Sequence, residues 1–285
     1  MNKLICFDLM ETLVFPPDSL TLNNWITKKA YFLTGFQKEM FLKGFPYSIF
    51  INNIEELNLV KDKLLCRQIL NNKDVFDILS VPYNSVWDRI TEEYISLFMK
   101  NYQFNENIII MLSKLKENAR LCLVSNLYSV YKPLISLLNF DSYFDQILLS
   151  CDIMERKPSL KVLKKTKYKA YENRIFIGDN WHSDLIIPIK CGFFACLLDD
   201  KNLFINTLYQ KGVAFLLEKD EGYKVKRKYK EICFYYLSPV LDIDHITADE
   251  LEIVDNKLYF SFMKRVKIIN SLEEIYNIVN EIVWN

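Results

Sequence analysis

Glycine, proline and histidine are scarce in this chain of 285 residues, which contains only 6, 8 and 2 of them. Chains rich in glycine and proline are typically collagen-like or disordered, and the composition excludes both classes. About half of the residues are hydrophobic (51%) and a quarter are charged (25%). These proportions predict a packed globular protein, long enough for one domain with a sizeable insertion.

Neither sign of charge is in excess, because Lys and Arg together number 36 and Asp and Glu together also number 36. Such a chain has no global field that favours nucleic acid or an anionic membrane, so we expect neither as a partner. The longest apolar stretch, residues 185–198, is interrupted by Pro188, Lys190 and Gly192 and is too short to span a membrane. The N-terminus enters an apolar stretch directly, so we expect no signal peptide.

The seven cysteines are odd in number and form no C-x-x-C motif. Several of them lie inside apolar runs, where a reduced thiol packs as a small hydrophobic side chain. This distribution favours a cytoplasmic protein over a secreted one.

Four short apolar runs each end at a polar residue: 3–8 (KLICFD), 120–126 (RLCLVSN), 174–179 (RIFIGD) and 192–200 (GFFACLLDD). A continuous apolar run of this length predicts a strand that is buried on both faces of a parallel sheet. Amphipathic helical patterns lie between the runs, at 107–117 and 129–138. The alternation predicts a doubly wound, Rossmann-like α/β domain, whose chemistry lies at the carboxyl ends of the strands.

Two stretches interrupt this alternation. Residues 15–105 contain helical patterns, at 23–33, 54–70 and 85–100, but no good candidate for a buried strand. We interpret this stretch as a helical cap that is inserted after the first strand and lies over the strand ends. Residues 202–265 form a second, atypical insertion before a closing strand and helix. The predicted organisation is therefore a core of residues 1–14 and 106–285 with a cap of residues 15–105.

Four motifs follow one another in the order that one family uses. The segment FDLMETL contains Asp8 and Thr12, LVSN contains Ser125 and Asn126, ERKPS contains Lys157, and IGDNWHSD contains Asp179 and Asp184. Their order resembles the haloacid dehalogenase superfamily, whose pattern is D-x-D-x-T, S/T-N, K-P and G-D-x-x-x-D. The resemblance covers residues 1–14 and 105–200, and it implies the same α/β fold.

The resemblance also implies a chemistry. In the family's phosphohydrolases the first aspartate attacks phosphorus and becomes an aspartyl phosphate, which makes Asp8 the expected nucleophile. Mg²⁺ is the expected cofactor, held by Asp8, the backbone oxygen of Met10, Asp179 and Asp184. The expected phosphate- or substrate-binding residues are Thr12, Ser125, Asn126 and Lys157, and Lys157 is also the second expected catalytic residue. The implied substrate is a small phosphorylated metabolite.

Met10 departs from the family pattern, because it stands where the family has its second aspartate. That aspartate protonates the leaving oxygen and then activates water, and methionine has no titratable group. The loss of a positioned acid or base lowers the rate of such a reaction by roughly 10²–10⁴-fold. The metal site can survive the change, because the family uses only the backbone oxygen at this position.

Three alternatives therefore stay open beside a phosphohydrolase. The chain could be a catalytically degenerate member with a binding or regulatory role, or a subunit of a larger complex. Carbon–halogen hydrolysis is a minor alternative, since that branch needs no Mg²⁺ and can lose the metal carboxylates that this chain retains. Phosphonate cleavage would also require a Schiff-base lysine, for which Lys38 and Lys43 are candidates. A protein partner could bind through the insertion at 202–265.

Overall fold

The computed structural model describes residues 2–199, 251–254, 257–260 and 266–281. Most of the second predicted insertion, residues 202–265, therefore lies outside the described residues, and so does the proposed role of that insertion in binding a partner.

The described chain has an α/β fold of the Rossmann-like type. Six strands form one sheet in the order β3-β2-β1-β4-β5-β8. They are β1 (Lys3–Phe7), β2 (Arg120–Ser125), β3 (Gln146–Leu149), β4 (Asn173–Gly178), β5 (Phe194–Leu198) and β8 (Val266–Ile269). β2 pairs in parallel with β3, and β5 pairs in parallel with both β4 and β8. A separate antiparallel hairpin joins β6 (Leu251–Val254) and β7 (Lys257–Phe260).

The four apolar runs are confirmed as strands, and each strand ends one or two residues before the last polar residue of its run. The closing strand is also confirmed as β8, followed by an amphipathic helix. β3 escaped prediction because its four residues are too few to show a period.

Helices fill the intervals between the strands. They are α1 (Ser19–Lys29), α2 (Gly35–Leu42), α3 (Ile54–Leu65), α4 (Asn72–Leu79), α5 (Ser85–Asn101), α6 (Asn107–Lys116), α7 (Pro133–Leu137), α8 (Phe140–Tyr143), α9 (Ser150–Ile153), α10 (Leu160–Lys165), α11 (Ile186–Lys190) and α12 (Glu274–Glu281). A π-helical turn, Trp181–Leu185, precedes α11. The single helix predicted over 129–138 is instead a 3₁₀ turn followed by α7, because Pro133 lacks an N–H and occupies the first turn of a new helix.

The chain groups into two compact units. The first comprises Met1–Cys6, Glu117–Arg120 and Lys167–Asn285, and the second comprises Phe7–Lys116 and Leu121–Thr166. Helices α1–α5 thus belong to the same unit as most of β2 and all of β3. The role of these helices as a cap remains a prediction.

Buried serine hydroxyls join helices α1–α5 to the segments that follow β2 and β3. Ser150 Oγ donates to the Leu65 carbonyl (2.6 Å) and accepts from the Leu127 N–H (3.0 Å). Ser129 Oγ accepts from the Ile69 N–H (2.9 Å) and donates to the Ile69 carbonyl (3.2 Å). Because these backbone groups are buried, each would be costly to leave unpaired.

Aromatic side chains also hold helices α1–α5, both to one another and to the segment after β2. The Phe41 and Tyr94 rings lie 4.5 Å apart, and the Tyr94 hydroxyl donates to the Phe41 carbonyl (2.6 Å). Phe98 lies 4.4 Å from Tyr131, whose hydroxyl donates to the Gly44 carbonyl (3.1 Å). The helical segment is therefore held by both ring packing and buried hydrogen bonds. No helix in the described part of the chain is long and apolar enough to span a membrane.

Replacing Ser150 with alanine should lower the free energy of unfolding by about 2 kcal/mol, because it leaves the Leu65 carbonyl and the Leu127 N–H buried without their partner. Urea unfolding followed by circular dichroism measures the change. Ser136→Ala, at an exposed position of α7, is the matched control and should change the value by less than about 0.5 kcal/mol. Equal effects of the two substitutions would contradict the role of Ser150 in pairing these two backbone groups.

Candidate active site

Asp8 follows directly after β1, at the start of a closed loop. The N–H groups of Leu13 and Val14 both donate to the Leu9 carbonyl, at 2.8 and 2.9 Å. Thr12 is fully buried within this loop. The loop thereby holds the backbone after Asp8 in one conformation, and Thr12 lies where a supporting residue for the first motif is expected.

Two residues of this loop depart from the family pattern. Met10 is partly exposed and offers the loop no ionisable side chain. Glu11 has a φ of 59°, in the left-handed region that favours glycine. Glu11 stands where the resembled family usually has glycine, and the backbone conformation explains why glycine suits that position. A non-glycine residue there costs about 1 kcal/mol or more.

Asp8 and Lys157 form a buried ion pair. Lys157 Nζ donates to Asp8 Oδ1 at 2.6 Å, and the two side chains are only 5% and 10% exposed. Asp8 lies after β1, and Lys157 lies in the loop between α9 and α10. Two sequence-predicted catalytic residues, 149 positions apart, are thus in direct contact.

The amide of Asn126 fixes the backbone of Lys157. Asn126 Oδ1 accepts from the Lys157 N–H at 2.7 Å, and Asn126 Nδ2 donates to the Lys157 carbonyl at 2.9 Å. The predicted direct role of Asn126 in phosphate binding remains a prediction. In the structure its amide positions Lys157, a contact that no sequence pattern indicates.

Ser125 is buried at the end of β2, with 2% of its surface exposed. Its Oγ has no hydrogen-bond partner among the described residues. Buried hydroxyls are normally hydrogen-bonded, so an unpaired one beside Asn126 indicates a donor available to a ligand.

Asp179 and Asp184 lie after the end of β4, in the first compact unit. Asp179 is partly exposed and Asp184 is fully buried. Asp184 Oδ2 accepts from the Asn180 N–H at 3.1 Å, and its Oδ1 accepts from the Ser183 hydroxyl at 2.9 Å. The Asp184 N–H also donates to the Asn180 carbonyl at 2.9 Å, so backbone and side chain of Asp184 both bond Asn180. Sequence reasoning missed Asn180 and Ser183, although both lie within the G-D-x-x-x-D motif.

The Asp184 side chain packs so closely against Gly178 that residue 178 has no room for a side chain. A Cβ at residue 178 would lie 2.4 Å from Asp184 Oδ2 and 2.6 Å from Asp184 Cβ. Contacts this short do not occur, so any larger residue would displace the Asp184 side chain. The glycine of the motif therefore serves close packing of the carboxylate against the strand end.

A family model described as haloacid dehalogenase-like hydrolase matches residues 48–193 of the chain. The chain belongs to the haloacid dehalogenase-like hydrolase family. Comparison of this family member with curated proteins gives no match.

Several solved structures of the family resemble this member. A 2-haloacid dehalogenase from Pseudomonas syringae pv. Tomato DC3000 is 18% identical and has a TM-score of 0.45, over 70% of this chain and 88% of that one. A phosphatase from Thermococcus onnurineus is 15% identical with a TM-score of 0.43, over 70% and 87% of the two chains. An enzyme from Bacteroides thetaiotaomicron, in complex with magnesium and inorganic phosphate, is 15% identical with a TM-score of 0.47, over 70% and 95%.

Replacing Lys157 with methionine should destabilise the protein by about 3 kcal/mol at pH 7, because it leaves the Asp8 carboxylate buried without its cation. Urea unfolding in EDTA at pH 7 measures the loss. Lys161→Met is the matched control, because the Lys161 side chain is 79% exposed. Equal losses in the two variants would contradict a buried ion pair.

Proposed function

We propose that this protein is a Mg²⁺-dependent phosphohydrolase that acts on a small phosphorylated metabolite through an aspartyl phosphate on Asp8. The observation that carries the proposal is the buried contact between Asp8 and Lys157. A buried Ser125 hydroxyl that has no described partner supports it. A carboxylate nucleophile, a cation and a hydroxyl donor are the groups that phosphoryl transfer requires.

The proposed metal ligands are Asp8, Asp179, Asp184 and the backbone oxygen of Met10. In support, a carboxylate oxygen of Asp179 and one of Asp184 lie within 4.8 Å of each other. Oxygen ligands of this kind suit a hard cation, so the donor set fits Mg²⁺. Bound there, Mg²⁺ would neutralise charge on the phosphoryl oxygens.

In the proposed reaction, an Asp8 carboxylate oxygen attacks phosphorus while the bond from phosphorus to the leaving oxygen breaks. The Ser125 hydroxyl and the Lys157 ammonium donate to the phosphoryl oxygens, where negative charge is concentrated. Asn126 acts on this step through its two hydrogen bonds to the Lys157 backbone. Water then attacks phosphorus of the aspartyl phosphate while the bond from phosphorus to the Asp8 oxygen breaks. The protons of the water leave with the inorganic phosphate, and the Asp8 carboxylate is restored.

Met10 limits which substrates can react. The leaving oxygen must take a proton, and methionine cannot supply one. A good leaving group, such as that of an acyl phosphate or a pyrophosphate, needs no such help. We therefore propose a substrate of this class, or one whose own groups provide the proton.

A second candidate function follows from the same residue. A chain that retains the phosphate and metal residues but lacks the acid–base residue could bind a phosphorylated ligand without hydrolysing it. Carbon–halogen or phosphonate chemistry ranks below both, since Asp179 and Asp184 are retained and no cap lysine is singled out. Cytoplasmic location and a protein partner that binds through residues 202–265 remain predictions.

Replacing Met10 with aspartate should raise the turnover of an alkyl phosphate by about 10²–10⁴, because it supplies a group that can donate and then accept a proton. Released phosphate is measured for glycerol 3-phosphate and for an aryl phosphate, and the gain should be smaller for the aryl ester. Met10→Asn is the matched control, since its amide does not titrate. If Met10→Asp gains nothing and beryllofluoride does not bind, the non-catalytic function is favoured.

Replacing Gly178 with alanine should weaken Mg²⁺ binding at least tenfold, because the new Cβ displaces the Asp184 carboxylate. Isothermal titration with MgCl₂ measures the affinity. Gly35→Ala is the matched control, since a Cβ at residue 35 would meet nothing within 4 Å. Unchanged Mg²⁺ affinity in Gly178→Ala would contradict the proposed role of Asp184.

A further inference from the structure

The end of helix α3 and the residues just after it contact the segment of residues 150–156, which leads from β3 to Lys157. The contacts come from three positions spaced three residues apart, which is close to one helical turn. Their partners are spread along the whole segment, and all of them belong to one compact unit. The pairs are Leu65 with Ser150, Gln68 with Asp152, and Asp62 with Arg156.

The start of this segment is also held from outside α3. The Ser150 hydroxyl accepts from the Leu127 N–H at 3.0 Å, and the Asp152 carboxylate pairs with Lys132 Nζ at 2.7 Å. The loss of a single contact with α3 would therefore leave the start of the segment in place.

The end of the segment is held next to a catalytic residue. Arg156 directly precedes Lys157, and its guanidinium pairs with the Asp62 carboxylate. Lys157 is bonded through its backbone to Asn126 and through its ammonium to Asp8. The ammonium ends a flexible four-carbon side chain, so its position depends on how firmly the backbone around it is held. Asn126 holds Lys157 itself, and Asp62 holds the residue before it.

Resting on the function proposed above, we propose that Asp62 is a positioning residue for Lys157. Through its ion pair with Arg156, it holds the backbone before Lys157 so that the ammonium reaches both Asp8 and the phosphoryl oxygens. Asp62 does not itself bind the substrate. Helix α3, which lies outside the four sequence motifs, thereby contributes to phosphate binding.

The sign of the effect distinguishes positioning from a long-range effect of charge. A carboxylate repels phosphate, so removing the Asp62 charge without disturbing Lys157 would tighten phosphate binding. Loss of positioning weakens it instead. The size of the effect is modest, because the Asp62 and Arg156 side chains are 56% and 38% exposed, and exposed ion pairs change an equilibrium by at most about fivefold.

Isothermal titration of the full chain with inorganic phosphate in MgCl₂ measures the effect as a Kd and requires no turnover. Asp62→Asn removes the charge but keeps the shape, and it should raise the Kd about three- to fivefold. Asp62→Glu keeps the charge and should stay within about twofold of the wild-type value. The double variant Asp62→Arg/Arg156→Asp restores the pair in reverse and should recover most of the loss.

Glu39→Gln is the matched control. The Glu39 side chain is also 56% exposed and also forms an ion pair, with Lys43 on the surface of α2 and its end. Its replacement removes one negative charge, as Asp62→Asn does, and should not weaken phosphate binding. Urea unfolding should show a similarly small loss of stability in both variants, so that weaker binding in Asp62→Asn alone reports position and not stability.

A wild-type chain that binds inorganic phosphate, together with an unchanged or lower Kd in Asp62→Asn, would overturn this inference and leave the proposed function standing. Equal weakening in Glu39→Gln would also overturn it, as would a loss that neither Asp62→Glu nor the double variant recovers. Failure of the wild-type chain to bind inorganic phosphate would remove the proposed function, and this inference with it.

Discussion

The buried ion pair between Asp8 and Lys157 is the contact on which the site depends. A carboxylate that is only 10% exposed is costly to bury without a cation, and Lys157 Nζ supplies that charge at 2.6 Å. The lysine is in turn fixed through its backbone by the Asn126 amide. Three segments that are remote in sequence are thereby held together by charge and by paired hydrogen bonds, before any ligand binds.

The sequence was sufficient for β1, β2, β4 and β5 and for the order of the motifs, because continuous apolar runs that stop at a polar residue carry a strong signal. It was insufficient where a contact joins distant positions. The Asn126 amide could have faced a ligand or the protein, and only the fold shows that it bonds Lys157, 31 positions away. Likewise, no sequence pattern indicated that the lack of a side chain at Gly178 is what admits Asp184. Local patterns cannot report such packing.

Helices α1–α5 show a second kind of contact that sequence patterns do not predict. Helices α1, α3 and α5 overlap the predicted helical patterns, whereas α2 and α4 were not predicted. The partners of the segment's buried polar groups were not predictable either. Ser129 and Ser150 lie outside that segment and bond the backbone at Ile69 and Leu65. Short polar side chains of this kind read as turn residues in a sequence. In the fold they complete the hydrogen bonding of the helical segment.

These serine contacts have a consequence for how the family diversifies. If helices α1–α5 were exchanged for those of another member, Ser129, Ser150 and Tyr131 would lose the carbonyls or amides they now bond. A chimera would therefore need compensating changes in the loops after β2 and β3. In this protein helices α1–α5 and the loops after β2 and β3 are constrained to evolve jointly, not as interchangeable modules.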